Sequence, residues 1–268
     1  MQTGRTLAAG PDYAVSVVTC TGGHARWSPV EERGAHGVVL PRRGLFRRMV
    51  DGLGVDLDST VGYVGVPGTE ERFAHPRGGD VCTSISVSAA LWRSVAGDRR
   101  PRSAIYVDGR LDLAHRRVVQ AAAGGDRDYR VVEELVALLG VVVRRVSDAT
   151  VPAAAGMGSA ADRALVAGAR AAIAADDPAA RGLLPLAAHL SASPYRLSRA
   201  FSREMGVSLT NYRNRVRVGR ALDRLSGGDT DGARLASDLG FADQAHLCRT
   251  IRTHVGHTPT EVRMLLTR

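Results

Sequence analysis

Read along the chain, hydrophobic and polar positions change period twice. From residue 11 to about 105 short extended runs alternate with turn signals: YAVSVVTC, GVVLP before Arg42-Arg43-Gly44, and TVGYVGV before Pro67-Gly68. In VCTSISVS, residues 81 to 88, Val81, Thr83, Ile85 and Val87 alternate with Cys82, Ser84, Ser86 and Ser88, the period of a half-buried strand. Many short strands between Gly and Pro turns predict a small barrel or sandwich. Between about 110 and 148 the period becomes helical. LDLAHRRVVQAAA and DYRVVEELVALLGVVVRRV each predict a helix, the second with an apolar face through Val132, Leu135, Val136 and Leu139 that must pack on the barrel or on a second subunit. Residues 149–160, ATVPAAAGMGSA, are small and contain Pro and Gly, and read as a linker. Everything beyond it is helical.

That last part contains one unit twice. LAAHLSASPYRLSRAFSREMGVS aligns with LASDLGFADQAHLCRTIRTHVGHT: Leu186, Ala187 and Leu190 match Leu235, Ala236 and Leu239. After a turn one residue longer in the second copy, Ser193, Leu197, Arg199, Phe201 and Gly206 match Asp243, Leu247, Arg249, Ile251 and Gly256. A short helix, a tight turn and a second capped helix make a helix-turn-helix, here at 183–206 and 232–256. Ser193 with Pro194, and Asp243, are N-cap signals. Thr258-Pro259-Thr260-Glu261 is a capping box opening a last helix. SLTNYRNRVRVGRALDRLSGG predicts one long helix between the units, ended by Gly227-Gly228.

On a helical wheel Leu197 and Phe201, like Leu247 and Ile251, mark the buried side. Opposite them fall Tyr195, Arg199 and Ser202 in the first unit, and Ala245, Arg249 and Arg252 in the second. Arg196 and Ser198 flank the first set; Gln244, His246 and Cys248 flank the second. Such side chains read base edges or hold phosphate. One such helix is most simply a solvated face, but two capped, basic copies at a fixed separation point to double-stranded DNA. Arg213, near the start of the connecting helix, is placed to touch phosphate.

Charge agrees. The formal net charge is +9, and every basic residue is Arg, a permanently charged fork suited to phosphate and guanine. From residue 160 onward sixteen Arg face ten acidic residues, a surplus of six; before it the surplus is three. The N-terminal MQTGRTLAAG lacks the apolar stretch of a signal peptide, and the longest apolar run, VALLGVVV, is too short to span a bilayer. A cytoplasmic protein without a membrane partner is the expectation. Three dispersed cysteines supply neither a disulfide framework nor a paired zinc motif.

Residues 160–268 resemble the DNA-binding domain of the AraC/XylS transcription regulators. The resemblance rests on Leu186-Ala187-x-x-Leu190, Leu197-Ser198-Arg199-x-Phe201, Gly206-x-Ser208, Tyr212, Arg217, Ala221 and Leu225. It continues through Leu235-Ala236-x-x-Leu239-Gly240-Phe241, Arg249 and Gly256-x-Thr258-Pro259-x-x-Val262-Arg263. Ile251 stands where an aromatic residue is usual, and Leu247 where Phe is frequent; both stay apolar. The resemblance implies an α+β chain: a β-rich cupin-like barrel with trailing helices over 1–148, then an all-α double helix-turn-helix domain over 161–268. It also implies a small-molecule effector in the barrel, a homodimer, RNA polymerase as a partner, an activator's role, and base reading at 195, 198, 199, 244, 246, 248 and 249.

Other chemistry is weaker. Cys20, His24, His36, His75 and Cys82 could be drawn into a metal or redox site, with Cys20, His24 and Cys82 the core of that alternative, but they read first as ordinary barrel residues. The block FAHPRGGDVC, 73 to 82, takes no ligand assignment from its sequence. No cofactor is expected. Nor is catalysis, since a catalytic cupin needs clustered His and carboxylate ligands and His36 has no second His two positions on.

Overall fold

The computed structural model describes residues 2–97, 104–124, 129–147 and 158–267. Its first half is two β-sheets. Strands β1 (Gln2–Gly10), β2 (Tyr13–Cys20), β3 (Glu31–Glu32), β4 (His36–Arg43), β5 (Phe46–Val50), β6 (Leu53–Leu57), β7 (Val61–Gly65), β8 (Glu70–Ala74) and β9 (Asp80–Val87) are followed by helix α1 (Ala89–Ala96) and β10 (Ala104–Tyr106). One sheet runs β1-β2-β9-β4-β7-β10 and the other β3-β8-β5-β6. They face each other around a cavity. The chain turns between strands at left-handed glycines such as Gly44 (φ 78°) and Gly52 (φ 76°), a conformation that suits a residue without Cβ.

One apolar face of the six-stranded sheet is turned outward, beneath helices. Val15, Val38, Leu40, Ile85 and Val87 pack with Trp92 of α1 and with α2 (Gly109–Ala123) and α3 (Arg130–Ser147). The broad apolar face of α3 is spent there: Leu135, Leu138, Leu139 and Val142 are fully buried, while Val136 points out at 40% exposure. The opposite face of the sheet, with Cys82, Ser84 and Ser86, lines the cavity. Neither face of β9 is therefore turned to bulk solvent, although its alternation reads as a half-buried strand. The sequence pattern picks out runs at β2, β4, β7 and β9 but not the strands of the four-stranded sheet or β10, and two further elements fall outside what it describes. The strand β1 lies ahead of residue 11, and α1 interrupts the strand-rich region. The linker expected over 149–160 lies, as far as residue 157, outside the described residues.

The second half is helical: α4 (Ala160–Ala174), a 3-10 turn at Pro178–Arg181, α5 (Leu183–His189), α6 (Pro194–Met205), α7 (Leu209–Ser226), α8 (Gly232–Asp238), α9 (Gln244–Val255) and α10 (Pro259–Thr267). Leu235, Leu247, Ile251, Val218 and Leu222 form a core around the second unit. The core around the first unit does not stop at the domain boundary. Leu197, Phe201 and Tyr212 share it with Leu57, Val61, Tyr63 and Cys82 of the barrel. No helix among the described residues is long and apolar enough to cross a membrane.

Candidate nucleic-acid interface and barrel cavity

The two copies fold alike down to their turns. After α5 the N–H of Ala192 donates to the carbonyl of Ala187 (2.9 Å), and after α8 that of Phe241 donates to Ala236 (2.9 Å). Ser191 (φ 51°) and Gly240 (φ 70°) take the left-handed position in each. This closure satisfies the last helical carbonyls and sets the direction of the next helix. Ser193 Oγ caps α6 by accepting from the N–H of Arg196 (3.2 Å), and Asp243 Oδ1 caps α9 by accepting from that of His246 (2.6 Å). Gly206 and Gly256, both left-handed, end the two helices. Thr258 and Glu261 make the capping box of α10, with the Thr258 N–H donating to Glu261 Oε2 at 2.7 Å. Helix α7, which holds the units apart, ends at Ser226 before Gly227 and Gly228.

With Leu197, Phe201, Leu247 and Ile251 buried, the opposite faces are open. Tyr195, Arg196, Arg199 and Ser202 on α6 and Gln244, Ala245, Arg249 and Arg252 on α9 are exposed; Ser198, His246 and Cys248 are half-buried, as is Arg213 on α7. These residues are not equally free. Arg199 donates to Tyr195 Oη at 2.6 Å and leans over its ring, so the two form one exposed unit. Arg196 and Arg203 both hold Asp162 of α4, at 3.1 and 2.6 Å. The ring of His246 meets Phe241 edge-on, and its Nδ1 accepts from the Ala242 N–H at 3.4 Å, which engages it in the turn. Among the described residues no acid pairs with Arg249. Asp238 is held by Arg224 and Arg234, and Glu261 lies with Thr258 and His257.

The barrel cavity has a volume of about 530 Å³ and a mixed polar and apolar lining. Arg33 lies over the register pair Gly37 and Gly65, where a Cβ would collide with its guanidinium. Glu71 accepts two hydrogen bonds from Arg48 (3.0 and 2.6 Å) and lies 3.7 Å from Arg33. Phe46, Tyr63 and Phe73 supply phenyl and phenol rings to the wall.

At one end of the cavity Cys20, His24, His75, Asp80 and Cys82 approach one another. One ligand atom from each of Cys20, His75 and Asp80 can be chosen with all three within 4.8 Å. His24 stands behind His75, with Nε2 3.1 Å from His75 Nδ1. Cys82 lines the same wall outside that group of three. His36 is elsewhere, its ring stacked on Trp92 at 5.1 Å. Of the five residues singled out in the sequence, two thus enter the cluster, and Asp80, which spacing did not reveal, completes it. Burial, with Asp80 alongside, pushes the Cys20 thiol up to about 11; burial lifts the Asp80 carboxyl to about 6 and, together with His24, lowers His75.

Buried ion pairs join the halves. Arg215, 2% exposed, donates from Nε to the carbonyl of Val107 (2.6 Å) and pairs with Asp112 (3.0 Å). Arg170 pairs with Asp58 (2.6 Å), and Thr60 Oγ1 donates to Tyr212 Oη (3.3 Å). None of these partners is near the other in sequence, so spacing carried no sign of them.

A family model described as a helix-turn-helix domain matches residues 186–264. Over 78 residues the chain is 32% identical to the arabinose operon regulatory protein of Escherichia coli (strain K12), covering 29% of this chain and 27% of that protein. It is 31% identical over 78 residues to the regulatory protein PocR of Salmonella typhimurium, covering 29% and 26%. The matched stretch spans only about a quarter of the length of either relative. Among solved structures, ToxT from Vibrio cholerae aligns over 96% of this chain and 100% of its own, with 11% identity and a TM-score of 0.37. A cupin superfamily protein from Desulfitobacterium hafniense aligns over 33% of this chain and 78% of its own, with 16% identity and a TM-score of 0.29.

Proposed function

We propose that this chain, whose C-terminal part is an AraC-type helix-turn-helix domain, is a sequence-specific DNA-binding transcription regulator controlled by a small molecule in its barrel. Residues 1–148 would form the sensing domain, 149–160 the linker and 161–268 the DNA-binding domain. The observation that carries this reading is the pair of capped helices α6 and α9, with Arg199 and Arg249 at equivalent, exposed places. Each helix would enter one major-groove segment. Arg199 with Tyr195 would read in one and Arg249 with Gln244 in the other, with Ser198, Ser202, Ala245, Cys248 and Arg252 beside them. Arg196 would first have to leave Asp162, and His246 would act mainly by positioning the turn. Arg213 would hold phosphate.

The cavity has room for a small effector, and Arg33, 3.7 Å from Glu71 in its wall, would offer it a hydrogen-bonding group. The resemblance adds a homodimer, contact with RNA polymerase, an activator's role and a cytoplasmic setting, without catalysis. A second reading, a metal-responsive regulator, is favoured by the approach of Cys20, His75 and Asp80, a ligand set different from Cys20, His24 and Cys82. Selection of bound sequences from random double-stranded DNA tests the main reading. The expected product has two short segments roughly 10 base pairs apart. Enrichment of no sequence would reject it.

A further inference from the structure

The end of the barrel cavity holds a group of side chains that DNA reading does not use. Cys20 ends β2 and Asp80 begins β9, and the two are register partners, so their side chains share one face of the sheet. His24 and His75 pair their backbones across the neighbouring loops, through N–H to O bonds of 3.1 and 2.8 Å. Glycines allow the close approach: a Cβ on Gly79 would lie 2.2 Å from the carbonyl oxygen of Cys20.

The hydrogen bonds fix where the protons are. His24 Nδ1 lies 2.9 Å from the carbonyl oxygen of Arg26, which can only accept, so that nitrogen carries the hydrogen. In the neutral ring, His24 Nε2 is then an acceptor, and His75 donates to it from Nδ1 at 3.1 Å. This leaves His75 Nε2 as a bare lone pair, 3.0 Å from Asp80 Oδ1. Two electron-pair donors repel at that distance unless a cation joins them. Asp80 is 4% exposed, its Oδ1 has no donor of ordinary geometry among the described residues, and the Cys20 thiol lies beside the carboxylate as its hydrogen-bonding neighbour. The thiol of Cys20 comes within 4.8 Å of both.

We infer that Cys20, His75 and Asp80 form a zinc site, with the remaining coordination position open to the barrel cavity. Zinc bonds of about 2.3 Å to sulfur and about 2.0–2.2 Å to nitrogen and oxygen, at tetrahedral angles, place ligand atoms roughly 3.3–3.6 Å apart. The observed group needs only small side-chain adjustments to match. A thiolate and a carboxylate neutralise a dication, which suits a site withdrawn from water, and the thiolate disfavours magnesium and calcium. His24 acts behind the metal: its bond to His75 Nδ1 orients the imidazole and keeps Nε2 free for coordination, the usual arrangement for a metal-bound histidine. The open position faces the cavity, where water or an anionic group of a bound molecule would complete the shell. In binding, the Cys20 proton leaves to solvent as the sulfur–zinc bond forms.

The test uses the full chain, stripped with chelator and titrated with zinc and then with cobalt. One zinc per chain is expected, with a raised melting temperature and, for cobalt, a thiolate-to-metal charge-transfer absorption. Cys20→Ser and Asp80→Asn should each lose stoichiometric zinc and the zinc-dependent rise in melting temperature, and Cys20→Ser the absorption band. Their metal-free melting should still resemble that of the metal-free parent, which separates lost ligation from lost folding. His24→Gln should keep one zinc but bind it about 10–100-fold more weakly. Cys248→Ser, altered on α9 and outside the barrel, should bind zinc like the parent. A parent chain that takes up no zinc, or a Cys20→Ser chain that binds it as tightly as the parent, would overturn the inference; either result leaves the DNA-binding reading untouched.

Discussion

Ser191 and Gly240 occupy the same left-handed step in the two turns; the repeat around them, from Leu190 and Leu239 to the caps Ser193 and Asp243, was legible because caps and turns are local, while the step itself was not. So were the N-caps, whose donors lie three residues on. The capture of Arg196 and Arg203 by Asp162 was not, since those residues are 34 and 41 positions apart and each reads as an ordinary exposed charge. His115 is a further case. It lies buried on α2 with Nε2 lacking a hydrogen-bond partner among the described residues, and burial drives its pKa down to about 3, with Arg42, Arg116 and Arg215 assisting and Asp112 opposing. The ring stays neutral in the folded chain down to that value but titrates near 6.5 once unfolded. Between the two the unfolded chain binds the additional proton, so the stability that neutral His115 contributes above about pH 6.5 is lost as pH falls towards 3. The expected slope from this residue is about 1.4 kcal/mol per pH unit. Denaturant melts of the parent and of His115→Gln over that window check it: the variant should show a shallower dependence, and an equal slope in both would remove His115 as the cause.

At the scale of elements, period told strand from helix, but it could not tell which face of a strand looks inward. The alternation in β9 suggested an apolar face towards a core and serines towards water. Instead the apolar face lies under α1, α2 and α3, and the serine face looks into the cavity. A cavity between the sheets reverses the ordinary relation, and only the pairing of the two sheets displays it. The same packing explains α3, whose wide apolar stripe could equally have served a second subunit and is mostly spent on its own barrel. The faces differ in a measurable way. Ile85→Ala, made beneath the helices, should cost about 2–5 kcal/mol of unfolding free energy. Ser86→Ala, at the cavity wall, should stay within about 0.5 kcal/mol. Equal costs in chemical denaturation would contradict the assignment of faces.

For the whole molecule, the sequence separates two domains more cleanly than the structure does. Leu197 and Phe201 of α6 share a core with Tyr63 and Cys82 of the cavity wall, so a change in the cavity has a packed route to α6. Arg170 and Asp58 pair across the boundary with both side chains largely buried. Asp58→Asn should therefore cost about 3–5 kcal/mol in the full chain, because it leaves a buried guanidinium without its counter-charge. In a fragment beginning at Gly158, Arg170 has lost that carboxylate, and Arg170→Met should cost less stability there than in the full chain; an equal penalty for Arg170→Met in both settings would deny a shared core. The claim on which the account depends is that α6 and α9 each read one DNA segment. The direct measurement is the affinity of the parent, Arg199→Ala and Arg249→Ala for a selected site and for its single-base variants, at one salt concentration. Each substitution is predicted to cost about 1–3 kcal/mol and to erase base preference in one segment only, a different one for each arginine, with melting unchanged. If both variants keep the parent's base preferences, or if Arg249→Ala lowers stability while preference in its segment persists, these arginines are not the readers.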